Sequence, residues 1–255
     1  MKRSLILTLL LLGLALAARA RSSALPLSER EQGKNYVVLV GIADYPGTQN
    51  DLKVSAQDAV TMKTLYERND DAVTEMLTDA QATVENVKVT LGNLFARATR
   101  HDAIILFFSG HGVPGGFVCY NGLLRYSDIT AIMSRSEAQT KMVFADACFA
   151  GKARNSKKRD DRPSDTSVLF FLSSRTNEKS QERRGWRNSL FTAYLERGLR
   201  GGADNDRNRT ITARELFDFV SKGVAKDSRE KQHPVMWGKF DDQLPLMVWK
   251  EKSGQ

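Results

Sequence analysis

Two apolar runs, each closed by one reactive side chain among small residues, constrain this chain more than any other feature. The first is Ile-Ile-Leu-Phe-Phe-Ser-Gly-His-Gly at 104–112, and the second is Lys-Met-Val-Phe-Ala-Asp-Ala-Cys-Phe-Ala-Gly at 141–151. Apolar runs of this length bounded by glycine read as strands buried on both faces, as in parallel sheets covered by helices. Ligands gather outside the carboxyl ends of such strands, so His111 and Cys148 are expected on one rim. If the two strands are neighbours, the imidazole can take the thiol proton, which makes a nucleophile with its base. Gly110 and Gly112 let the backbone approach closely, and the N–H groups of Gly112 and Cys148 can face a developing oxyanion. A cysteine alone on an apolar strand would read as inert packing. Its place just past a strand end, shared with an equally placed histidine, favours chemistry.

SGHG at 109–112 after one apolar strand, and DACFAG at 146–151 after another, resemble the motifs of the caspase-like cysteine peptidases, in particular their bacterial caspase-homologous and metacaspase branch. The likeness runs from about Tyr36 to Trp249. It implies an α/β sandwich, a mostly parallel six-stranded sheet flanked by helices, with His111 and Cys148 as the catalytic dyad. The segment LKVSAQDA at 52–59 resembles the part of metacaspases in which a carboxylate lines the pocket for the side chain preceding the scissile bond. That likeness puts the role on Asp58, with Ser55 three residues before it, and a second acidic role on Asp146. Two carboxylates facing a narrow pocket select arginine or lysine. The alternative for Asp58 is a helix cap or a solvated helix face. Ser173 and Ser174, with Glu178 and Glu182 beyond them, resemble the segment that flanks the substrate and would offer backbone pairing to an extended peptide.

The chain before and around these motifs reads as one domain with appendages. Residues 1–20 carry Lys2 and Arg3, an apolar core and Ala18-Arg19-Ala20, the pattern of a secretory signal peptide. The core is shorter than the roughly 18–20 residues of a membrane span, so no stable anchor is expected after cleavage. Without it, 235 residues carry 35 basic and 30 acidic groups, a net charge of +5. These charges are scattered rather than striped, which argues against a nucleic-acid partner. Residues 21–34 form a polar lead-in, 35–250 the peptidase domain, and 151–165 a polar, aperiodic loop suited to processing. Cys119 is expected in a buried strand, unpaired with Cys148, since a chain this long needs no disulfide staple.

Between the motifs, alternating strand and helix patterns support repeated strand–helix–strand units. Strands are expected at 36–42 and 71–78, helices at 52–66, 83–99 and 188–199, and a closing loop and edge strand at 232–237 and 246–249. Residues 110–115 spell G-x-G-x-x-G, but a hairpin around Asn121-Gly122 follows where a dinucleotide site requires a helix. Residues 204–215 place oxygen donors in EF-hand-like order, with Asp204, Asp206, Asn208 and Glu215 as candidate metal ligands. Arg209 stands where the turn calls for glycine, so a capping box of Thr212 and Glu215 is preferred there and no cofactor is expected, with calcium at this loop as the alternative. The reading is a secreted or periplasmic cysteine endopeptidase acting on peptides or proteins after arginine or lysine. Its alternative is a caspase-like peptide-binding domain without hydrolysis.

Overall fold

The computed structural model describes residues 33–68, 71–148, 167–174 and 187–249, with Cys148 described through its backbone. The expected signal peptide, lead-in and processing loop, together with Glu178 and Glu182, lie outside the described residues. Six strands form the main path: β1 (Asn35–Gly41), β2 (Ala72–Thr78), β3 (Ala103–Val113), β6 (Thr140–Cys148), β7 (Leu169–Leu172) and β9 (Val235–Trp237). Their order is β2-β1-β3-β6-β7-β9, parallel throughout except for β9, which runs antiparallel to β7. The hairpin of β4 (Gly116–Cys119) and β5 (Gly122–Arg125) pairs with the end of β3 and brings the sheet to eight strands. This hairpin stands where a dinucleotide site would need a helix, as expected from Asn121-Gly122.

Continuous apolar strands acquire two faces through the period of two. Val38, Val40, Leu106, Phe108, Val143 and Phe170 point into one core, against α2 (Val84–Phe95) and α3 (Tyr126–Ser134). Val37, Leu39, Ile105, Phe107, Phe144 and Phe171 point into the other, against α1 (Ser55–Glu67), α4 (Leu190–Arg197) and α5 (Ala213–Ser228). The result is a three-layer α/β/α arrangement of the expected class. Among the described residues no helix is long and apolar enough to cross a membrane.

Helix ends follow local chemistry. Thr83 caps α2 by accepting from Asn86 N, and Thr212 with Glu215 forms a complete capping box on α5. One expectation needs correction: residues 246–249 do not edge the main sheet. Strand β10 (Pro245–Val248) instead pairs antiparallel with β8 (Thr210–Thr212), a two-stranded sheet that buries Ile211 and Met247 beside α5. The edge of the main sheet falls to β9.

At the carboxyl end of β1 the backbone of α1 sits directly against the strand. A Cβ on Gly41 would lie 2.5 Å from Ser55 O and 2.8 Å from Ala59 Cβ, distances no side chain tolerates. Gly41 thus sets how closely α1 approaches the sheet, and with it the position of Asp58 one turn further on. Gly41→Ala should push α1 outward and lower unfolding stability by about 1–3 kcal/mol, to be read by thermal or urea denaturation. An unchanged melting temperature would mean that the helix is not seated on this glycine.

Candidate active site

The site is built on two consecutive rungs of one strand pair. In the β3–β6 register Ser109 pairs with Asp146 and His111 with Cys148. Positions two apart on a strand share a face, so all four positions belong to the face covered by α1 and α4. The rungs stand about 7 Å apart along the strands, two residues of rise. The Sγ of Cys148 lies outside the described atoms, and the register alone places its backbone beside His111.

His111 is held from two sides. Its Nε2 lies 2.6 Å from the carbonyl oxygen of Asn50, an acceptor only, so Nε2 carries the hydrogen and Nδ1 remains as the nitrogen able to accept a proton. Its backbone N–H donates to Tyr45 Oη at 2.9 Å, and Tyr45 donates in turn to Val118 O in β4 at 2.9 Å. The two rings lie 4.7 Å apart, tilted by 44°. Burial raises the Tyr45 phenol far above its usual range, so the group stays protonated and a donor. A Cβ on Gly110 would lie 2.6 Å from that hydroxyl, which explains the glycine before His111. The turn that presents Asn50 is tied by side-chain carboxylates: Asp51 accepts from Tyr45 N, and Asp79 accepts from Ala43 N and Asp44 N. Gly112 is buried and its backbone is fixed by pairing with Phe117.

Below the His111–Cys148 rung lies a buried carboxylate pair. Asp58 is 0 % exposed and Asp146 4 %. Asp58 Oδ1 accepts from Asn188 Nδ2 at 2.9 Å and from Ser189 N at 3.0 Å. Asp58 Oδ2 lies 2.9 Å from Ser109 Oγ and 2.5 Å from Ser189 Oγ. Asp146 Oδ2 contacts the same Ser189 Oγ and accepts from Thr192 N at 3.0 Å and Thr192 Oγ1 at 2.9 Å. Asp146 thereby caps α4 from a neighbouring strand, where Ser189, the residue in the capping position, makes no side-chain bond to the helix. Asp58 caps nothing on its own helix, whose first turn is entered from Val54. Burial first, and then the charge of Asp146, push Asp58 up to about 7, against the opposing pull of its hydrogen bonds to Ser189, Asn188 and Ser109.

The other expected residues divide. Ser55 is buried one turn before Asp58 on the same helix face. Ser173 corrects the expectation of substrate pairing. Its N–H donates to Ala145 O, its carbonyl accepts from the buried Gln232 Nε2, and its hydroxyl sits 3.2 Å from both Ala147 N and Ala147 O. A residue whose N–H and carbonyl are both engaged within the protein does not offer the open backbone edge expected for pairing with a peptide. Cys119 is free and buried, and burial pushes its thiol up to about 12, which keeps it inert. In the 204–215 loop, Arg209 does not prevent the turn. It adopts a left-handed φ of 65°, with its N–H donating to Asp204 Oδ2 at 3.0 Å, and carboxylate oxygens of Asp204, Asp206 and Glu215 come within 4.8 Å of one another. Sequence reasoning missed Ser109, Asn188, Ser189, Thr192, Tyr45 and Asn50. Only Ser109 carried a signal, being two residues before His111 on the same strand face.

A family model described as the caspase domain matches residues 34–244. No curated protein matches at the sequence level. Among solved structures, protein GSU0716 from Geobacter sulfurreducens superposes with a TM-score of 0.64 at 18 % identity, covering 85 % of this chain and 100 % of that one. Caspase-1 from Spodoptera frugiperda superposes with a TM-score of 0.62 at 15 % identity, covering 88 % of this chain and 92 % of that one. At such identities the likeness is one of fold.

The buried pair makes stability depend on pH with a definite sign. An unfolded aspartate titrates near 3.9, whereas Asp58 in the fold holds its proton to about 7. Across that window the folded state binds a proton the unfolded state lacks, so stability falls as pH rises, by about 1.4 kcal/mol per pH unit for this group. Asp58→Asn keeps the shape and removes the titration. The difference in unfolding free energy, wild type minus the Asp58→Asn protein, should therefore slope downward between about pH 4 and 7 and flatten above. A flat difference would show that Asp58 is ionised throughout.

Proposed function

Because this chain belongs to the caspase-domain family, whose members are cysteine-type peptidases, we propose that it is an endopeptidase in which Cys148 is the nucleophile, His111 its base, and Asp58 with Asp146 the seat of an arginine or lysine side chain. The observation that carries this reading is the pair of rungs, with Cys148 beside His111 on the upper one and Asp146 on the lower, where Asp58 of α1 joins it through Ser189. A basic side chain entering beside the scissile bond spans the separation of the rungs and meets two acids at its tip. An aspartate side chain would meet like charge there.

The chemistry needs no group beyond those of the chain and water. The Cys148 thiol gives its proton to His111 Nδ1, the nitrogen left open by the Asn50 carbonyl, and the thiolate attacks the scissile carbonyl carbon. The electron pair of the C=O bond moves onto oxygen, where the N–H groups of Gly112 and Cys148 are the donors in this reading. When the C–N bond breaks, the imidazolium returns its proton to the leaving amine, and water then hydrolyses the thioester with His111 again as base. The Asn50 carbonyl holds the tautomer and the orientation of the ring, as a carboxylate does in other triads. The signal-peptide pattern in the sequence of residues 1–20 supports assigning this activity to the secretory route, in the periplasm or outside the cell.

Two measurements test the proposal. Cys148→Ala should lower hydrolysis of a peptide reporter by at least about a thousandfold with the fold intact, and His111→Ala should cost about as much as both changes together, because the pair acts as a unit. Normal turnover by Cys148→Ala protein would leave a peptide-binding domain as the better reading. Reporters ending in arginine or lysine should be cut more than about a hundred times faster than those ending in aspartate, given several kcal/mol of like-charge cost. Preference for aspartate would remove the carboxylates from the pocket.

A further inference from the structure

Ser189 Oγ lies within hydrogen-bonding reach of Asp58 Oδ2 and Asp146 Oδ2 at once. A hydroxyl carries one hydrogen and two ionised carboxylates offer none, so both contacts form only when a second hydrogen lies on the path between the acids. The surrounding groups say where it resides. Asp146 Oδ2 already accepts from the amide and the hydroxyl of Thr192 at the first turn of α4. Asp58 is faced by Ser109 from β3, by Asn188 and Ser189 from the approach to α4, and by the charge of Asp146 from β6. Among the described residues its hydrogen-bond partners are neutral donors, and the charge that acts on it is the like charge of Asp146. The Asp58 hydroxyl therefore donates to Ser189 Oγ, and Ser189 donates to Asp146. Burial, which raises Asp58, acts in the same direction.

We infer that Ser189 is a positioning residue for basic substrates: its hydroxyl joins Asp58 to Asp146 through one shared proton, and an incoming arginine or lysine side chain displaces that proton. The inference rests on the pocket proposed above. In the step, the Asp58 O–H bond breaks, its electron pair stays on Oδ2, the proton leaves to water or buffer, and the substrate cation pairs with both carboxylates. Until the cation arrives, the pocket thus avoids holding two buried charges, each costly to desolvate without a partner. Entry of a neutral side chain has no such exchange to drive it. The neutral form of Asp58 makes two bonds through the Ser189 hydroxyl and the ionised pair only one, so without that hydroxyl the proton is held less tightly and the pocket loads at lower pH.

The test uses the full chain carrying Cys148→Ala, titrated calorimetrically with a blocked peptide amide ending in arginine and with its citrulline counterpart. Runs in two buffers of different ionisation heat count the protons released. The arginine peptide should release close to one proton at about pH 6 and almost none at about pH 8.5, and the citrulline peptide none at either. Adding Ser189→Ala should move the levelling of affinity to lower pH by about one unit and cut the proton release near pH 6 by about half, and Ser189→Thr should restore both. A hydroxyl that serves structure alone would lower the melting temperature and leave the pH dependence in place, which overturns the proposal. Arginine binding without proton release near pH 6 overturns it as well. Infrared difference spectra of the free protein between the same pH values separate the two ways of failing. A protonated-carboxyl band that vanishes in Asp58→Asn, together with no binding of the arginine peptide, overturns the pocket and this proposal together. Binding without such a band overturns the proposal alone.

Discussion

Nine register pairs between β3 and β6, from Ala103 with Thr140 to His111 with Cys148, are the constraint on which the rest of the molecule depends. Both strands are buried on both faces, so every backbone group must pair within the sheet and every side chain must fit one of two cores. A slip of one residue would exchange the faces, drive Phe107 and Phe144 into the wrong layer, and part His111 from Cys148. The apolar packing that stabilises the sheet is therefore also what aligns the reactive positions. The geometry at the rim inherits its precision from the core beneath it.

The carboxylate pair shows the opposite relation between stability and function. Two acids beside the sheet's lower rung, Asp146 in β6 and Asp58 in α1, are costly to bury, and the fold surrounds them with donors from three separate segments: Ser109 in β3, Asn188 and Ser189 before α4, and Thr192 within it. Asp146 also satisfies the first turn of α4, so the helix and the buried acid stabilise each other. A more stable protein would place apolar or amide side chains here. The two acids are accommodated here by hydrogen bonds and by the proton that burial holds on Asp58.

The histidine is oriented by backbone rather than by a third charged side chain. Asn50 contributes a carbonyl oxygen, and its side chain is turned back to Pro46 O. The carbonyl is presented by a turn whose own amides are held by Asp51 and Asp79, the latter at a left-handed φ of 47°. Such a contact depends on the path of the chain, and many side chains at position 50 would leave it in place.

The fold class, the order of the strands along the chain, the hairpin after β3 and the positions of His111 and Cys148 at strand ends were legible in sequence, because apolar runs, glycine boundaries and Asn-Gly turns act locally. Asp58 and Asp146 were legible only through likeness to a family, since a carboxylate on a helix and another before a cysteine give no local sign that they meet. The register that pairs Ser109 with Asp146, the serine that bridges two acids from 131 and 43 residues away, and the carbonyl that fixes the histidine were decided by tertiary structure alone. The physical reason is the same in each case. A hydrogen bond between distant segments depends on where the sheet and helices bring them, whereas the pattern that makes a strand or a helix is written in a residue's immediate neighbours. Ser189 has the local look of an ordinary helix cap, and only the packing of α4 against β6 turned its hydroxyl toward the acids.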